Sequence, residues 1–266
     1  MTTKDPMGDR LKAAEQEFAG IRLDPTLPVC ARLDGRGFSK WTQGLKRPYD
    51  VRLTEIMQQT AGFLVLETNP VIAFTQSDEI SLIWDGNADK PESQMIFNGK
   101  IQKLTSVLAS MATAKFNQLA AWSLPNKPLA FFDCRVWSVP SQVEASNVLL
   151  WRAMDARRNS ISMLAQDNFS AKELHGKSTK AQLEMLENKG IDWNDYPSSF
   201  KYGTYVRRRT YERELSAAEI QNIPEDKRTE PGTKYIRAEV IEVPLPYLLT
   251  VKNRTEVIFN DRSPAL

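Results

Sequence analysis

The sequence predicts an α+β fold built around a ferredoxin-like βαββαβ unit, with an antiparallel sheet and the helices of that unit on one face. Three observations lead to this prediction. Apolar runs of strand length alternate with segments of helical spacing. Their order along the first half is strand, helix, strand, strand, helix, strand, which is the split βαβ pattern. A short acidic turn connects the second and third strands, and another acidic residue ends the first strand.

The chain opens with a short helix and the first two elements of the sheet unit. Apolar spacing predicts a helix over Met7–Phe18, closed by Gly20. Pro28–Leu33 is a short apolar run typical of a buried strand. Arg52–Glu67 carries apolar residues on one helical face, and Asn69-Pro70 ends that helix.

The remaining sheet elements are a hairpin, a long helix and a fourth strand. Two short strands, Val71–Thr75 and Ile80–Trp84, flank the tight turn Gln76–Glu79. Apolar residues at helical spacing predict one helix over Ile96–Trp122. Leu129–Val139 is the fourth strand.

This topology predicts that two aspartates meet. Strands one and two run parallel, with strand three between them. The end of strand one, at Asp34, and the turn that contains Asp78 therefore lie at the same edge of the sheet.

The second half, residues 144–266, is predicted to extend the first, residues 1–143, within one globular unit. Its predicted elements are helices at Glu144–Gln166 and Ser178–Asn188, an exposed loop at Ile223–Gly232, and strands at Tyr202–Glu212 and Tyr235–Val243.

Composition predicts a soluble protein without a global preference for nucleic acid. Lysine and arginine total 35 against 33 acidic residues, a formal charge of +2, so a nucleic-acid site has to be a local patch. The polar start of the chain is unlike a signal peptide, and no apolar run has the length of a membrane span. We therefore expect a cytoplasmic protein in which Cys30 and Cys134 are buried thiols.

The predicted pair of aspartates suits metal-dependent phosphoryl transfer. Two carboxylates at one edge repel each other, and bound cations offset that repulsion. Two Mg²⁺ ions roughly 4 Å apart also clamp the attacking and leaving oxygens of such a reaction. We expect Asp34 and Asp78 to be metal ligands and Glu79 to be a third catalytic candidate. Either turn alone is a common structural sequence, and only their combination indicates function.

Glycines flank the first aspartate on its C-terminal side. Gly35 and Gly37 let the backbone approach a phosphate or metal closely, and Gly35 could offer its carbonyl oxygen. Exposed amides in a turn of this kind can bind phosphate. We expect the turn through Arg36 and Phe38 to contact a nucleotide.

Several segments resemble the tRNA-histidine guanylyltransferase (Thg1) family, which adds nucleotides to tRNA 5′ ends in the 3′-to-5′ direction. They follow the family's order over about half of the chain: Arg32–Phe38, Gln76–Glu79, Phe132–Val136 with Pro140-Ser141, and Trp151-Arg152. The third segment departs from the family, because Cys134 stands where a glycine is usual.

The resemblance implies a polymerase-type palm fold and two-Mg²⁺ catalysis. In the family, the positions of Asp34, the Gly35 carbonyl and Asp78 bind metal, Ser77 lies near nucleotide phosphate, and Glu79 matters for activity. ATP activates a 5′-monophosphate as an adenylylated end, and the 3′-hydroxyl of an incoming nucleotide such as GTP attacks it. Family members usually form homotetramers.

In one departure, the chain resembles the Thg1-like branch found in bacteria, archaea and phages. The eukaryotic segment after the tryptophan-arginine pair is replaced here by Arg157–Ser162, in which only Asn159 matches. The resemblance then implies template-dependent repair of 5′-truncated tRNA, with dedicated addition of G to tRNA-histidine as the alternative. Arg47 before Pro48 matches a basic position that follows the first motif.

Further basic residues are candidates for binding phosphates. Lys100 and Lys103 are expected to contact the nucleotide triphosphate, from a helix start predicted to approach the acidic edge. The candidate tRNA contacts are Arg152, Arg157, Arg158, Asn159, Arg207 and Arg209. Solvated charge is the competing explanation for all of them.

Two other functions remain compatible with the sequence. A nucleotide cyclase uses a similar palm with two aspartates, although it does not need the long C-terminal extension. A catalytically silent RNA-binding protein is the other alternative, although acidic groups that face phosphate do not help such a protein.

Overall fold

A six-stranded antiparallel sheet with the order β4-β1-β3-β2-β5-β6 organises the molecule. The computed structural model describes residues 5–86, 94–228 and 232–266. The strands are β1 (Val29–Gly35), β2 (Ile72–Gln76), β3 (Glu79–Trp84), β4 (Phe132–Ser138), β5 (Thr204–Glu214) and β6 (Lys234–Val243). The first four strands have the predicted ferredoxin-like arrangement, with β3 between β1 and β2.

The helices lie around this sheet. They are α1 (Pro6–Ala19), α2 (Phe38–Trp41), α3 (Val51–Thr68), α4 (Ile101–Ser123), α5 (Gln142–Asn168), α6 (Ala171–Leu174), α7 (Thr179–Asn188), α8 (Ser198–Tyr202), α9 (Ala217–Gln221) and α10 (Arg254–Asn260). Short 3₁₀ turns lie before α4, between α7 and α8, after α9 and after β6. Within the described residues, no helix combines the length and apolar character that crossing a membrane requires.

The two faces of the sheet pack against different helices. Residues such as Ala31 and Leu33 form one core with α3 and α4, as the predicted βαββαβ unit requires. Cys30 and Phe74 point to the other face and form a second core with α5 and α10. The palm helices therefore lie on one face as predicted, and helices of the second half cover the other. A third core joins the C-terminal half of α5 to α7 and α8.

The predicted and observed elements agree closely, with one clear error at α4. The helix begins at Ile101 and not at Ile96, because Phe97, Asn98 and Gly99 have positive φ values of 51°, 54° and 67°. These residues form a 3₁₀ turn, and the carbonyl of Gly99 accepts a hydrogen bond from the Leu23 amide. A tertiary contact overrides the helical spacing there.

The second half also continues the sheet of the first. β5 pairs with β2 over Ala73–Thr75, and β6 pairs with β5 along its whole length. The part of the β5–β6 hairpin beyond Val206 has no partner in β2, so it projects past the edge opposite the acidic turn.

Candidate active site

A two-residue turn between β2 and β3 presents one of the two predicted aspartates. Gln76 pairs with Glu79 across the hairpin, which leaves Ser77 and Asp78 in the turn. Ser77 has a positive φ of 54°. The Thr75 hydroxyl donates a hydrogen bond to the Glu79 carbonyl oxygen at 2.9 Å. These contacts fix the direction in which the turn points.

The end of β1 lies directly beside this turn. Asp34 is in register with Glu79, and the Gly35 amide donates a hydrogen bond to the Asp78 carbonyl oxygen at 3.1 Å. The structure thus brings together Asp34 and Asp78, which are 44 positions apart in the chain, as the topology predicted.

Electrostatics at this edge favour a bound cation. Burial is the main reason why the pKa of Asp78 is raised to about 6. The charges of Asp34 and Glu79 act in the same direction, and hydrogen bonds from the Asp78 amide and from Ser77 act against it. Two oxygen-donor side chains beside a backbone carbonyl fit Mg²⁺, which is usually held by one or two carboxylates together with substrate phosphates. A divalent cation here would offset the repulsion between the carboxylates, which contributes to the raised pKa.

The turn after Asp34 is shaped by two glycines. A β-carbon on Gly35 would lie 2.3 Å from the Phe38 ring, so this position excludes any side chain. Gly37 has a φ of 66° and precedes the short helix α2. Phe38 is buried and stacks on Trp41, with ring centroids 5.1 Å apart. The close approach of the ring to Gly35 holds the turn beside the aspartates.

A cavity of about 530 Å³ opens between this turn and the start of α3. Asp34, Ser77 and Asp78 line its acidic end, and its other predicted lining residues are Gly35, Gly37, Phe38 and Arg47. The side chain of Arg36 is exposed and lies outside the lining. The cavity therefore combines the acidic pair, a glycine turn and the basic side chain of Arg47.

Asp50 holds the loop that carries Arg47. Its carboxylate accepts hydrogen bonds from the Lys46 amide at 3.1 Å and from Nε of Arg52 at 2.9 Å, and it caps α3. The Arg52 hydrogen bond is the main reason why the pKa of Asp50 falls to about 2. The cavity wall at this point is a fixed loop.

A second cavity, of about 300 Å³, lies between the same acidic turn and α5. It shares Asp34, Ser77 and Asp78 with the larger cavity. Its α5 side is formed by residues that recur at spacings of three, four and seven positions and therefore lie on one side of the helix: Arg152, Asn159, Ser162, Met163 and Gln166. The acidic pair is thus reached from two sides.

Glu79 and Arg152, predicted as a catalytic group and an RNA contact, bind each other. Nε of Arg152 lies 2.6 Å from Oε1 of Glu79, and Nη2 lies 2.8 Å from Oε2. Asp155 takes the remaining nitrogen, Nη1. This arrangement places Arg152 against the β2–β3 hairpin, and its donors face carboxylates of the protein.

Lys100 and Lys103 lie far from the acidic pair, so the prediction that their helix start approaches the acidic edge is wrong, and the structure does not support their predicted contact with the triphosphate. β3 starts at the acidic edge and ends at Trp84, and the chain enters α4 from that opposite edge, roughly 17–20 Å away. Lys100 forms a β-bridge with Arg22, and the Lys103 ammonium lies 5.4 Å from the Phe97 ring centroid. Neither lysine lines the two cavities.

The other predicted tRNA contacts occupy different environments. Arg157 packs over Trp193, at 5.2 Å from the ring centroid, and the exposed Arg158 forms an ion pair with Asp155. Asn159 is exposed at the smaller cavity. Of these three residues, only Asn159 lines a cavity together with Asp34.

Arg207 does not fit its predicted role, whereas Arg209 remains available. Arg207 is 6% exposed and donates hydrogen bonds to the carbonyls of Val257 and Ile258 at the end of α10. It also pairs with Asp261. Arg209 lies on the same face of β5, but its side chain is 57% exposed and pairs with Glu239. Of these two arginines, only Arg209 has its charged group exposed to solvent.

Sequence reasoning missed part of the site. Tyr49 and Asp50 line the larger cavity, and Met163 and Gln166 line both cavities. A signal for the second pair was present, because they continue the spacing of Arg152 and Asn159 along one face of α5. The sequence did not show that this face turns toward the acidic edge.

The chain is similar to known proteins over most of its length. Residues 8–140 match the family described as Thg1, tRNAHis guanylyltransferase. A tRNA(His) guanylyltransferase from Saccharomyces cerevisiae is 28% identical over 225 residues, which cover 74% of this chain and 92% of the yeast protein.

Two solved bacterial structures are also similar. A bacterial tRNA(His) guanylyltransferase (Thg1)-like protein in complex with ATP is 41% identical, with a TM-score of 0.72, covering 76% of this chain and 88% of that one. One in complex with GTP is 32% identical, with a TM-score of 0.74, covering 96% of this chain and 98% of that one. Both likenesses extend over the palm and beyond it.

Proposed function

Because the chain belongs to the tRNAHis guanylyltransferase family and is a nucleotidyltransferase, we propose that it adds nucleotides to the 5′ end of tRNA in the 3′-to-5′ direction. ATP activates the 5′-monophosphate of the RNA, and the 3′-hydroxyl of an incoming nucleoside triphosphate then attacks the activated phosphate. The bacterial relatives with bound ATP and GTP support these two substrate classes.

The observation that carries this proposal is the meeting of two cavities at Asp34, Ser77 and Asp78. A reaction that joins a nucleotide to an RNA end needs two substrates at one reactive centre. The larger cavity, about 530 Å³, has the size of a small-molecule site. The smaller one opens toward the polar face of α5 and suits the RNA end.

Different residues of the larger cavity would contact different parts of a nucleotide. Apolar side chains such as Leu45 and Leu53 offer a surface for the base. Arg47 offers a positive charge to the phosphates. The Gly35 and Arg36 amides already donate to the carbonyls of Asp78 and Phe131, so in this turn the Gly37 amide is the proposed donor to phosphate oxygens.

The acidic pair would hold the metal ions of the reaction. Asp34, the Gly35 carbonyl and Asp78 are the proposed ligands of two Mg²⁺ ions. When bound, such ions neutralise phosphate charge and clamp the attacking and leaving oxygens. The raised pKa of Asp78 supports this assignment, because a cation relieves the repulsion that contributes to it.

We further propose that the biological role is template-dependent repair of 5′-truncated tRNA by a homotetramer. The identities to the two bacterial Thg1-like proteins, 41% and 32%, exceed the 28% identity to the yeast enzyme. The segment Arg157–Ser162 also departs from the eukaryotic pattern. Light scattering of the purified protein tests the oligomeric state.

The test uses a tRNA that lacks its first nucleotide and carries a labelled 5′-monophosphate. It is incubated with protein, Mg²⁺, ATP and the four nucleoside triphosphates, and products are resolved at single-nucleotide length. A matched set of tRNAs varies the 3′-strand base opposite the missing nucleotide. A 5′-hydroxyl tRNA, which ATP cannot activate in this way, is the control.

We expect one nucleotide to be added, complementary to the opposing base, with growth ending when the stem is fully paired. Addition of G whatever the opposing base contradicts template-dependent repair and supports dedicated guanylyl addition. Equal extension of the 5′-hydroxyl control contradicts activation of a 5′-monophosphate. Absence of growth on every tRNA contradicts the proposed substrate.

A further inference from the structure

The carboxylate of Glu79 lines the smaller cavity together with the two aspartates, but it is engaged by an arginine. Both of its oxygens accept hydrogen bonds from Arg152, at 2.6 Å and 2.8 Å, and the Ser81 hydroxyl donates to Oε1 at 3.3 Å. The side chains of Arg152 and Glu79 are only 12% and 15% exposed. A bidentate pair with so little contact with water is a strong and directional interaction.

Arg152 is itself held from two further sides. Its Nη1 pairs with Asp155, one turn further along α5. The indole of Trp151 packs on its guanidinium, with the ring centroid 4.6 Å from Cζ. These contacts fix the guanidinium against α5, and α5 packs on the sheet through the core that includes Leu149 and Ala153.

Without Arg152, three carboxylates would compete for the same cations. Glu79 follows Asp78 in the chain and is in register with Asp34. Nevertheless, among residues 5–86, 94–228 and 232–266, no three His, Cys, Asp or Glu side chains are grouped so that they could hold a metal ion. The acidic edge therefore offers two carboxylates, and the third is occupied by an arginine.

We propose that Arg152 is a positioning residue that withholds the Glu79 carboxylate from the cations held by Asp34 and Asp78. This inference rests on the proposed two-Mg²⁺ function. Mg²⁺ in phosphoryl-transfer sites is held by one or two carboxylates and uses its other positions for water and substrate phosphates. Occupying Glu79 keeps those positions open for the nucleotide and the RNA end.

The proposal makes the Trp151-Arg152 pair part of the catalytic framework and not of the RNA-binding surface. With Glu79 and Asp155 as partners, Arg152 has little capacity left for a phosphate. Its removal should therefore change the binding of cations and leave the salt dependence of RNA binding as it is.

The test is a titration of the full-length protein with Mn²⁺, followed by electron paramagnetic resonance without nucleotide or RNA. In Arg152→Gln the released Glu79 becomes an additional ligand, and we expect Mn²⁺ affinity to rise roughly threefold to tenfold. Glu79→Gln should bind Mn²⁺ like the natural protein. The double variant Glu79→Gln/Arg152→Gln should return to natural affinity, because the released carboxylate is absent.

Two more variants control for charge and for folding. Arg213→Gln removes another arginine with a bidentate glutamate partner, Glu219, on the projecting β5–β6 hairpin, and should leave Mn²⁺ binding unchanged. Arg152→Lys keeps the positive charge with fewer donors, so its Mn²⁺ affinity should lie between those of the natural protein and Arg152→Gln. Circular dichroism and thermal unfolding verify that each variant is folded.

Unchanged or weaker Mn²⁺ binding in folded Arg152→Gln and Arg152→Lys overturns the proposal. So does weaker binding in Glu79→Gln alone, since Glu79 would then be a ligand in the natural protein. A lower RNA affinity with a flatter salt dependence in Arg152→Gln would make Arg152 an RNA contact, which also contradicts it. Because the titration contains no RNA, its result is separate from failure of the tRNA repair assay.

Discussion

The two faces of strand β1 carry residues of opposite character. Toward α3 and α4 the strand presents apolar side chains throughout: Val29, Ala31 and Leu33. Toward α5 it begins with the buried Cys30 and then turns polar, with Arg32 and Asp34. A strand only seven residues long thus builds the core with one face and the reactive edge with the other.

This difference shows how the fold tolerates a cluster of acidic groups. On the polar face, the raised pKa of Asp78 reflects the electrostatic cost of holding carboxylates at the end of β1 and in the neighbouring turn. The apolar face runs uninterrupted to the buried Leu33, directly behind that site. Changes on the polar face should therefore affect activity, and changes on the apolar face should affect stability.

Among the changes on the polar face, Asp78→Asn should have the largest effect. We expect the rate of nucleotide addition to fall on the order of 10³-fold, because a metal-ion ligand supplies several kcal/mol of transition-state stabilisation. Stability should stay level or rise, since the repulsion with Asp34 is removed. Single-turnover rates and thermal unfolding measure both, and Asp85→Asn, at the opposite edge of the sheet, is the control. A large loss of stability would contradict the separation of the two faces.

Leu33→Ala makes the complementary change on the apolar face. Leu33 is completely buried, and truncation to alanine in such a core costs about 2–5 kcal/mol of unfolding free energy. Denaturant unfolding measures this loss, and Leu129→Ala, at an exposed position, should change stability little. Nucleotide addition per folded molecule should remain near normal. If folded Leu33→Ala were as inactive as Asp78→Asn, the two faces would not be independent.

Gly35→Ala should affect both properties, because Gly35 lies where the faces meet. The new β-carbon would lie 2.3 Å from Phe38, whose ring belongs to the apolar core. Overpacking of this kind costs about 1–3 kcal/mol, and the shift of the turn should weaken nucleotide binding. Denaturant unfolding and nucleotide titration measure the two effects. Combining it with Phe38→Leu should cost less than the sum of the single changes, and strict additivity would argue against the clash.

Lowering the pH should stabilise the metal-free protein. The pKa of Asp78 in the folded chain, about 6, is above the 3.8 of an ordinary aspartate. The folded state therefore binds the proton more readily, so stability rises as the pH falls from 7 toward 4 and is lost as the pH rises through 6. We expect the protonation of this half-buried group to raise the free energy of unfolding by on the order of 1–2 kcal/mol. Unfolding at pH 7 and pH 5 measures it, and Asp78→Asn should reduce the difference.

Arg209→Gln should give the smallest effect. Its exposed pair with Glu239 contributes less than about 1 kcal/mol to stability. As a proposed phosphate contact, it should lower RNA affinity modestly and reduce the salt dependence by about one ion. Filter binding at several salt concentrations measures this. An unchanged salt dependence would remove Arg209 from the RNA-binding surface.

The sequence predicted the sheet unit and its acidic edge well, because both depend on local patterns. Two short strand-like runs around a tight acidic turn identified the β2–β3 hairpin, and the order of elements was sufficient to bring Asp34 to Asp78. The start of α4 was predicted wrongly, since the positive φ values at Phe97–Gly99 depend on contact with Leu23, which is distant in sequence.

The partners of the basic residues were beyond the reach of the sequence. Runs of arginine look alike in one dimension, yet Arg207 lies beneath α10 and Arg209 faces solvent. Lys100 was expected at the acidic edge, but the direction of β3 places it at the other end of the sheet.

By itself, the sequence determined the strands, the five longer helices apart from the start of α4, and the two acidic turns, because periodicity and turn chemistry are properties of neighbouring residues. Only the tertiary structure decided that α5 crosses the acidic edge and that Arg152 occupies Glu79, 73 positions away. The physical reason is that hydrogen bonds and ion pairs require contact at about 3 Å, and such contacts between distant segments are set by the packing of whole elements.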